Sequence, residues 1–396
     1  LQDPDAPRFA PRSKLSPYDG GLRTPIMLRR PGTIRPLESA GLASAIDLVP
    51  TVLAACGVEP PAGLPGVNLL DDAAVAARQQ VFGECYTHTI VDLDDPAKSL
   101  LWRWTIRAGA GGPIWKLIVP SGRPLPEAEA RWVDVESRRR HAAGEAELWW
   151  KPDARDSGDT RQPGREPDRA AASDPAAASR PNLLVFLADD LGWRDLGCTG
   201  STFYRTPAID RLAADGMRFT RAYAACPVCS PTRAALITGR HPARVGITNF
   251  IGGNRRGALL PPDYLRALPE AEVTIPELLR DAGYGTGVFG KWHLGPPDDV
   301  PRHGFDVTGS TKVGPGSGKP DDPHHARAIA AAAAEFIATH ADKPFFCYVP
   351  FHSPHVPLVA RADFVAEEEA RAAGLPPSAG PREIPEGDRT ARAVQD

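Results

Sequence analysis

The sequence predicts an α/β fold in which a mostly parallel sheet is flanked by helices, with a smaller antiparallel part. Apolar strands that alternate with helical patterns predict the parallel sheet. The first strand lies in PNLLVFLADDLGW, and each later segment runs from a helix into a strand. These segments are residues 181–193, 206–224, 274–295 and 324–358. In the first half, alternating stretches predict a small antiparallel sheet, which is the second component.

Composition excludes several functional classes. The chain has 396 residues and a formal net charge of −3, so nothing indicates binding to nucleic acid or to an anionic membrane surface. Six cysteines are too few for a disulfide scaffold, and no apolar run is long enough to span a bilayer. The chain begins Leu-Gln-Asp-Pro without Met, so we expect a natural N-terminus, with any targeting signal, upstream.

A linker is predicted at residues 151–180, which contain no Val, Ile, Leu or aromatic side chain to offset the entropy of ordering. It separates a first segment, residues 1–150, from a second segment, residues 181–396. The first segment contains a strand in TPIMLRRPG and a helix in SAIDLVPTVLAACGV that ends at Gly57. Its small antiparallel sheet is predicted from residues 79–84, 101–107 and 114–119, with a further strand in residues 146–150.

Polar side chains follow three of the predicted strands. Asp189 and Asp190 follow the first, Lys291 and His293 follow the strand in TGVFG, and His355 follows the strand in FFCYVP. Because functional sites of parallel sheets lie beyond the carboxyl ends of their strands, we expect these residues to share one site. Each motif taken alone has a plainer reading, since adjacent carboxylates often form turns and a Lys/His pair is often solvated.

The stretch CPVCSPTRAALITGR, residues 226–240, contains two cysteines three positions apart. The spacing fits a redox pair, half of a zinc site, or one buried and one loop thiol. A zinc site needs a second pair of ligands at suitable spacing, and none occurs. From Cys226 and Cys229 alone, the redox and structural readings both stay open.

The residues after Cys229 are more specific. Cys229-Ser-Pro-Thr-Arg233 with AALITGR resembles the signature of the sulfatase family, which has an alkaline-phosphatase-like fold and converts this cysteine to formylglycine. LADDLGWRDLGCTG resembles the family's metal motif, and GKWHLG and FHSPHVPL resemble two further active-site motifs. SKLSPYDGGLRTPIMLRRPG resembles a lysine motif from the family's C-terminal part. The part that is C-terminal in the family therefore precedes the N-terminal part here.

The resemblance implies a nucleophile and a metal site. A hydrated formylglycine at Cys229 has two hydroxyls on one carbon, so one attacks the sulfur of a sulfate ester and the other expels sulfate. Asp189, Asp190 and the modified Cys229 would bind calcium or another divalent cation, which neutralises sulfate charge. Arg233 would stabilise the formylglycine loop. Cys226 lies outside the signature and needs no catalytic role.

Four further residues acquire roles from the resemblance. Lys291 would hold the sulfate, His293 would contact the formylglycine hydroxyls, and His355 would contact the substrate sulfate, while His352 is interpreted as incidental. Lys14 would bind sulfate and protonate the leaving alcohol. The implied partners are a sulfated small molecule or glycan and a formylglycine-generating enzyme. The resemblance also implies a periplasmic or secreted location. The motifs do not indicate which sulfate ester is the substrate.

One departure from the family concerns the metal. The family's Asp-Asn-Gly motif, which completes the metal site, occurs nowhere in the chain. We expect a fragment across two tandem units, a permuted chain with a deletion, or an artefact of joined genes. The predicted function is hydrolysis of an aryl or carbohydrate sulfate monoester. The alternatives are a phosphonate or phosphate ester hydrolase of the same superfamily and an inactive fragment.

Overall fold

The structure is a computed structural model that describes residues 19–86, 100–108, 114–120, 148–150 and 180–374, except 202, 253–263 and 310. Lys14 and nearly all of the predicted linker lie outside the described residues. None of the helices in the described part of the chain has the length and apolar content needed to cross a membrane.

Helices and strands occur in both segments. The helices are α1 Asp19–Leu22, α2 Leu48–Ala55, α3 Asp72–Ala77, α4 Pro207–Ala214, α5 Cys229–Thr238, α6 Pro242–Val245, α7 Ile275–Asp281, α8 Ala326–Thr339 and α9 Ala362–Ala372. The strands are β1 Ile26–Leu28, β2 Leu37–Ser44, β3 Gln80–Tyr86, β4 Leu100–Ala108, β5 Ile114–Pro120, β6 Leu148–Trp150, β7 Leu183–Leu187, β8 Met217–Tyr223, β9 Gly285–Phe289, β10 Val307–Gly309 and β11 Phe345–Pro350.

The parallel sheet has the order β10-β9-β11-β7 and lies within the second segment. Its register places Tyr348 of β11 beside Val185 of β7 and Val288 of β9. Helix α8 packs on one face, where Ile329 and Phe336 meet Val349 and other side chains of β11. Helix α7 packs on the other face, where Leu279 joins the largest core cluster. The prediction of a parallel sheet between helices is confirmed.

A second sheet joins the two segments. Strand β8 of the second segment lies between β1 and β2 of the first, pairing antiparallel with β1 and parallel with β2. Helix α2 of the first segment buries Val49 and Leu53 in the same cluster as Ile237 of α5. The two segments therefore share a sheet and a hydrophobic core in this structure.

The small antiparallel sheet has the order β3-β4-β5-β6 and confirms the prediction for the first segment. Its strand β3 packs closely on the second segment, since a Cβ added at Gly83 would lie 2.6 Å from the carbonyl oxygen of Ala225. Strand β2 was not predicted. Its sequence, LESAGLAS, is exposed at its start and buried only at its end, so it lacks the alternation that marks a strand.

Candidate active site

Three loops meet at the carboxyl ends of the parallel strands, as the sequence predicts. The loops follow β7, β9 and β11, and backbone hydrogen bonds tie them together. The Asp189 N–H donates to the Ser353 carbonyl at 2.9 Å, and the Lys291 N–H donates to the Pro350 carbonyl at 2.7 Å. Asp189, Lys291 and the loop that carries His355 therefore have fixed relative positions.

Gly290 permits the close approach of two of these loops. Its φ is +121°, and a Cβ at this position would lie 2.1 Å from the Pro350 carbonyl oxygen. Only glycine adopts this conformation and tolerates this contact without strain. The neighbouring Lys291 depends on it, because the Lys291 N–H bonds the same carbonyl.

Replacing Gly290 with Ala is expected to destabilise the fold by about 2 kcal/mol or more, because it adds backbone strain and a clash with Pro350. Urea unfolding of the variant measures the change. Gly314→Ala is the matched control, because a Cβ at Gly314 meets nothing within 4 Å, and it is expected to shift stability by less than about 0.5 kcal/mol. Equal effects of the two substitutions would contradict the role of Gly290.

Cys229 is the first residue of α5 and is only 6% exposed. Val228 before it is extended and Gly239 ends the helix with a φ of +70°. The unpaired N–H groups at the start of a helix favour anions, so this position suits a group that meets a sulfate. The hydroxyl of Ser230, the second residue of α5, accepts the Ile251 N–H at 3.0 Å, which ties the start of the helix to the segment around Ile251.

A buried ion cluster lies beside Cys229. Asp189 pairs with Arg233 at 3.2 Å and forms a short contact with Lys291, and all three side chains are buried. Burial alone would raise the pKa of the Asp189 carboxyl, but Arg233 and then Lys291 hold it well below its usual range. Arg233 also donates to the Lys291 carbonyl at 2.7 Å, so it fixes both partners.

His293 is held in one tautomer by its hydrogen bond. Its Nε2 lies 2.7 Å from the Ile251 carbonyl oxygen, so Nε2 carries the proton and Nδ1 is the acceptor. Nδ1 is buried and has no partner among the described residues. Burial, and then Lys291, lowers the pKa of His293 to about 4, so the ring is neutral near pH 7.

Two of the predicted residues have strained backbones. Asp190 and His293 have φ values of +66° and +57°, a region that residues other than glycine seldom adopt. Such strain is concentrated at functional sites, where the surrounding structure holds it in place. His355 approaches Asp190, with Nε2 3.6 Å from a carboxylate oxygen, and its Nδ1 donates to the Val356 carbonyl at 2.6 Å.

One cavity connects these groups. It encloses about 520 Å³, and its polar lining includes Cys229, Lys291, His293, His352 and His355. Phe250 forms part of an apolar wall. An anion entering this cavity would meet a lysine and the start of α5 together.

A comparison with protein families identifies the second segment. Residues 181–376 match the family model described as Sulfatase. Residues 181–376 therefore belong to the sulfatase family. The matched range contains Asp189, Asp190, Cys229, Lys291 and His355.

The chain is also similar to curated sulfatases over part of its length. It is 36% identical over 222 residues to the N-acetylgalactosamine-6-sulfatase of Mus musculus, covering 48% of this chain and 42% of that protein. It is 49% identical over 119 residues to the steryl-sulfatase of Homo sapiens, covering 30% of this chain and 20% of that protein. The chain thus spans less than half the length of these relatives.

Among solved structures, the chain is similar to that of Ps i-CgsB in complex with k-i-k-neocarrahexaose. The identity is 28% and the TM-score is 0.43, with 54% of this chain and 51% of that chain covered. The phosphonate monoester hydrolase of Agrobacterium radiobacter is 24% identical with a TM-score of 0.35, covering 51% and 45% of the two chains.

The structure brings together most of the predicted site residues. One cavity is lined by Cys229, Lys291, His293 and His355. Asp189 contacts Lys291 and pairs with Arg233. Lys14 lies outside the described residues. His352, which the sequence analysis treats as incidental, also lines the cavity. The one sequence feature that indicated a site role for His352 was its position just after β11.

Cys226 differs from Cys229 in its surroundings. It is 1% exposed, and burial raises the pKa of its thiol well above the ordinary value. It packs with Val228 and Phe250 and forms no disulfide with Cys229. A neutral thiol buried in this way is unreactive, which favours the structural reading over the redox reading.

The described residues do not form a complete calcium site. Calcium takes roughly six to eight oxygen ligands. Asp189 and Asp190 supply carboxylates, but both oxygens of Asp189 already contact Arg233 or Lys291. In the described part of the chain, no group of three or more His, Cys, Asp or Glu side chains is arranged to hold a metal.

The pKa of His293 predicts a pH dependence of stability. Its folded value of about 4 lies below the unfolded value near 6.5, so the unfolded state binds the proton more readily. The unfolding free energy is therefore expected to fall as the pH drops from about 6.5 towards 4. Urea unfolding at pH 7 and pH 5 measures this fall. We expect the unfolding free energy of His293→Gln to fall by about 1 to 2 kcal/mol less than that of the wild type. Equal losses in the two proteins would contradict this prediction.

Proposed function

We propose that this protein hydrolyses sulfate monoesters to an alcohol and sulfate, using a formylglycine formed from Cys229. The observation that carries the proposal is the shared cavity, in which Cys229 at the start of α5 faces Lys291, His293 and His355. A hydrated formylglycine would supply a hydroxyl nucleophile and a second hydroxyl for the release of sulfate. The modification requires a formylglycine-generating enzyme as partner.

The residues around Cys229 have separable roles in the proposal. Lys291 and the N–H groups at the start of α5 bind the sulfate oxygens. His293 accepts a proton at Nδ1 from a hydroxyl at position 229, because Nε2–H is committed to the Ile251 carbonyl. His355 lies at the cavity wall and contacts the sulfate from the side of Asp190.

Arg233 acts through Lys291 rather than on the substrate. It is 2% exposed, donates to the Lys291 carbonyl and neutralises Asp189. Lys14 is proposed to bind sulfate and protonate the leaving alcohol, as the lysine motif implies. Asp189 and Asp190 are proposed as carboxylates of a calcium or other divalent site that needs further ligands, so no step is assigned to the metal.

The proposed substrate is an aryl or carbohydrate sulfate ester. The similarity to an N-acetylgalactosamine-6-sulfatase supports the carbohydrate class. The proposed segments are residues 1–150 as the C-terminal-type part, residues 151–180 as the linker and residues 181–396 as the catalytic part.

The test is to measure sulfate release from nitrophenyl sulfate, with and without added calcium, on protein produced together with a formylglycine-generating enzyme. Nitrophenyl phenylphosphonate is the matched substrate with the same leaving group. We expect the sulfate ester to be hydrolysed faster. Faster phosphonate turnover would favour the other hydrolase class, and no turnover of either ester, with formylglycine shown by peptide mass, would favour an inactive chain.

A further inference from the structure

His352 is a buried polar side chain that the proposed mechanism does not use. It is 2% exposed and lines the cavity that contains Cys229 and Lys291. Neither ring nitrogen has a hydrogen-bond partner among the described residues. An unsatisfied buried polar group costs about 1 to 3 kcal/mol, so a side chain with two of them on a cavity wall needs an explanation.

The position of His352 is fixed by its backbone. The Phe351 N–H donates to the Leu187 carbonyl at 2.8 Å, and the His355 N–H donates to the His352 carbonyl at 3.0 Å. The next residue, Ser353, accepts the Asp189 N–H. The backbone around His352 is therefore held by two hydrogen bonds between the β7 and β11 regions and one within the β11 loop, which fixes the place of this residue on the cavity wall.

The chemistry of the ring restricts what it can bind. A neutral imidazole presents one N–H donor and one acceptor nitrogen. Sulfate oxygens accept hydrogen bonds but donate none, so sulfate alone would leave one nitrogen unsatisfied. A hydroxyl group both donates and accepts, and it would satisfy either nitrogen. Lys291 and His352 line the same cavity, so the ester carbon of a sulfate held by Lys291, and the carbons next to it, would lie in the cavity that His352 borders.

We infer that His352 binds a hydroxyl on a carbon next to the sulfate-bearing carbon, and so selects carbohydrate sulfates over aryl sulfates that lack this hydroxyl. The inference rests on the proposed function. A site built to hydrogen-bond a substrate hydroxyl discriminates strongly against an analogue without it, because its own polar groups are then left unpaired. His352 is then a specificity-determining residue of the cavity.

The test compares the wild type with His352→Leu and His352→Asn. Leu fills a similar volume but cannot form hydrogen bonds, whereas Asn keeps a donor and an acceptor. The readout is the ratio of kcat/KM for a monosulfated monosaccharide to kcat/KM for nitrophenyl sulfate. We expect His352→Leu to lower this ratio by about 10- to 100-fold and His352→Asn to restore most of it. A ratio that stays within about threefold of wild type in His352→Leu would overturn the inference.

A binding measurement separates this inference from the proposed function. Cys229→Ala cannot form the nucleophile, so ligands bind without turnover. Calorimetry on Cys229→Ala, with and without His352→Leu, uses monosulfated monosaccharides, each paired with an analogue that lacks one neighbouring hydroxyl. We expect at least one pair to show a roughly tenfold preference for the hydroxylated sugar that disappears with His352→Leu. If no pair shows that preference, His352 does not select a hydroxyl, whatever the turnover assay shows.

Discussion

Replacing Cys229 with Ser is expected to abolish sulfate ester hydrolysis, with a loss of at least about a thousandfold in kcat. A serine hydroxyl at the start of α5 can still face Lys291, but it lacks the second hydroxyl that would release sulfate. The measurement is sulfate release from nitrophenyl sulfate. Peptide mass analysis of residues 226–240 is expected to show an aldehyde in the wild type.

The matched control for this prediction is Cys226→Ser, three residues away in the same loop. Cys226 is buried against Val228 and Phe250 and is outside the cavity lining that includes Cys229. Its substitution is expected to leave kcat within a few-fold of wild type once the protein is folded. Loss of activity in Cys226→Ser without loss of the aldehyde would support the redox reading instead.

Replacing Arg233 with Ala is expected to cost about 3 to 5 kcal/mol of unfolding free energy, the typical effect of breaking a buried ion pair. Burial alone would lower the pKa of Arg233, but Asp189 raises it above its ordinary value, so the guanidinium stays charged. Without it, the Asp189 carboxylate loses its ion pair with Arg233 and keeps the one with Lys291, and the Lys291 carbonyl loses a donor. Urea unfolding near pH 7 measures the change.

Arg302→Ala is the matched control, because its partner Glu270 and its own side chain are both more than half exposed. Exposed pairs contribute about 0 to 1 kcal/mol, so this variant should remain close to wild type. Arg233→Lys tests the geometry, since a lysine keeps the charge but not the planar fork that reaches both Asp189 and the Lys291 carbonyl. A loss in Arg233→Ala no larger than in Arg302→Ala would contradict the proposed role of the buried cluster.

The sequence was informative where one local pattern determines structure. Helix α7 shows why, because Thr274 and Glu277 form a capping box at its start and Gly283 follows its end, all readable from the chain. The shared position of Asp189, Lys291 and His355 followed from the geometry of parallel strands alone. Both inferences depend on short-range chemistry and a general rule of sheet topology.

Other features depend on contacts between distant residues. Strand β2 pairs with β8 through an irregular register between Ser39 and Leu42, so its own sequence carries no strand pattern. Arg78 forms a buried ion pair with Asp47, which also accepts the Ser44 and Val67 N–H groups. The burial of His352 likewise results from how the β7 and β11 loops meet, which no local pattern encodes.

The strand order β1-β8-β2 has a consequence for how the chain assembles. Arg23 donates to the Thr220 carbonyl across a separation of 197 residues, and β1 pairs with β8 over a similar distance. The entropy of closing such a loop rises only with the logarithm of its length, so the spacer between the segments has little weight in the final stability. The search for these distant partners does slow folding. The large sequence separation of β1 and β8, which results from the order of the two segments, therefore affects the folding rate more than the stability of the folded sheet.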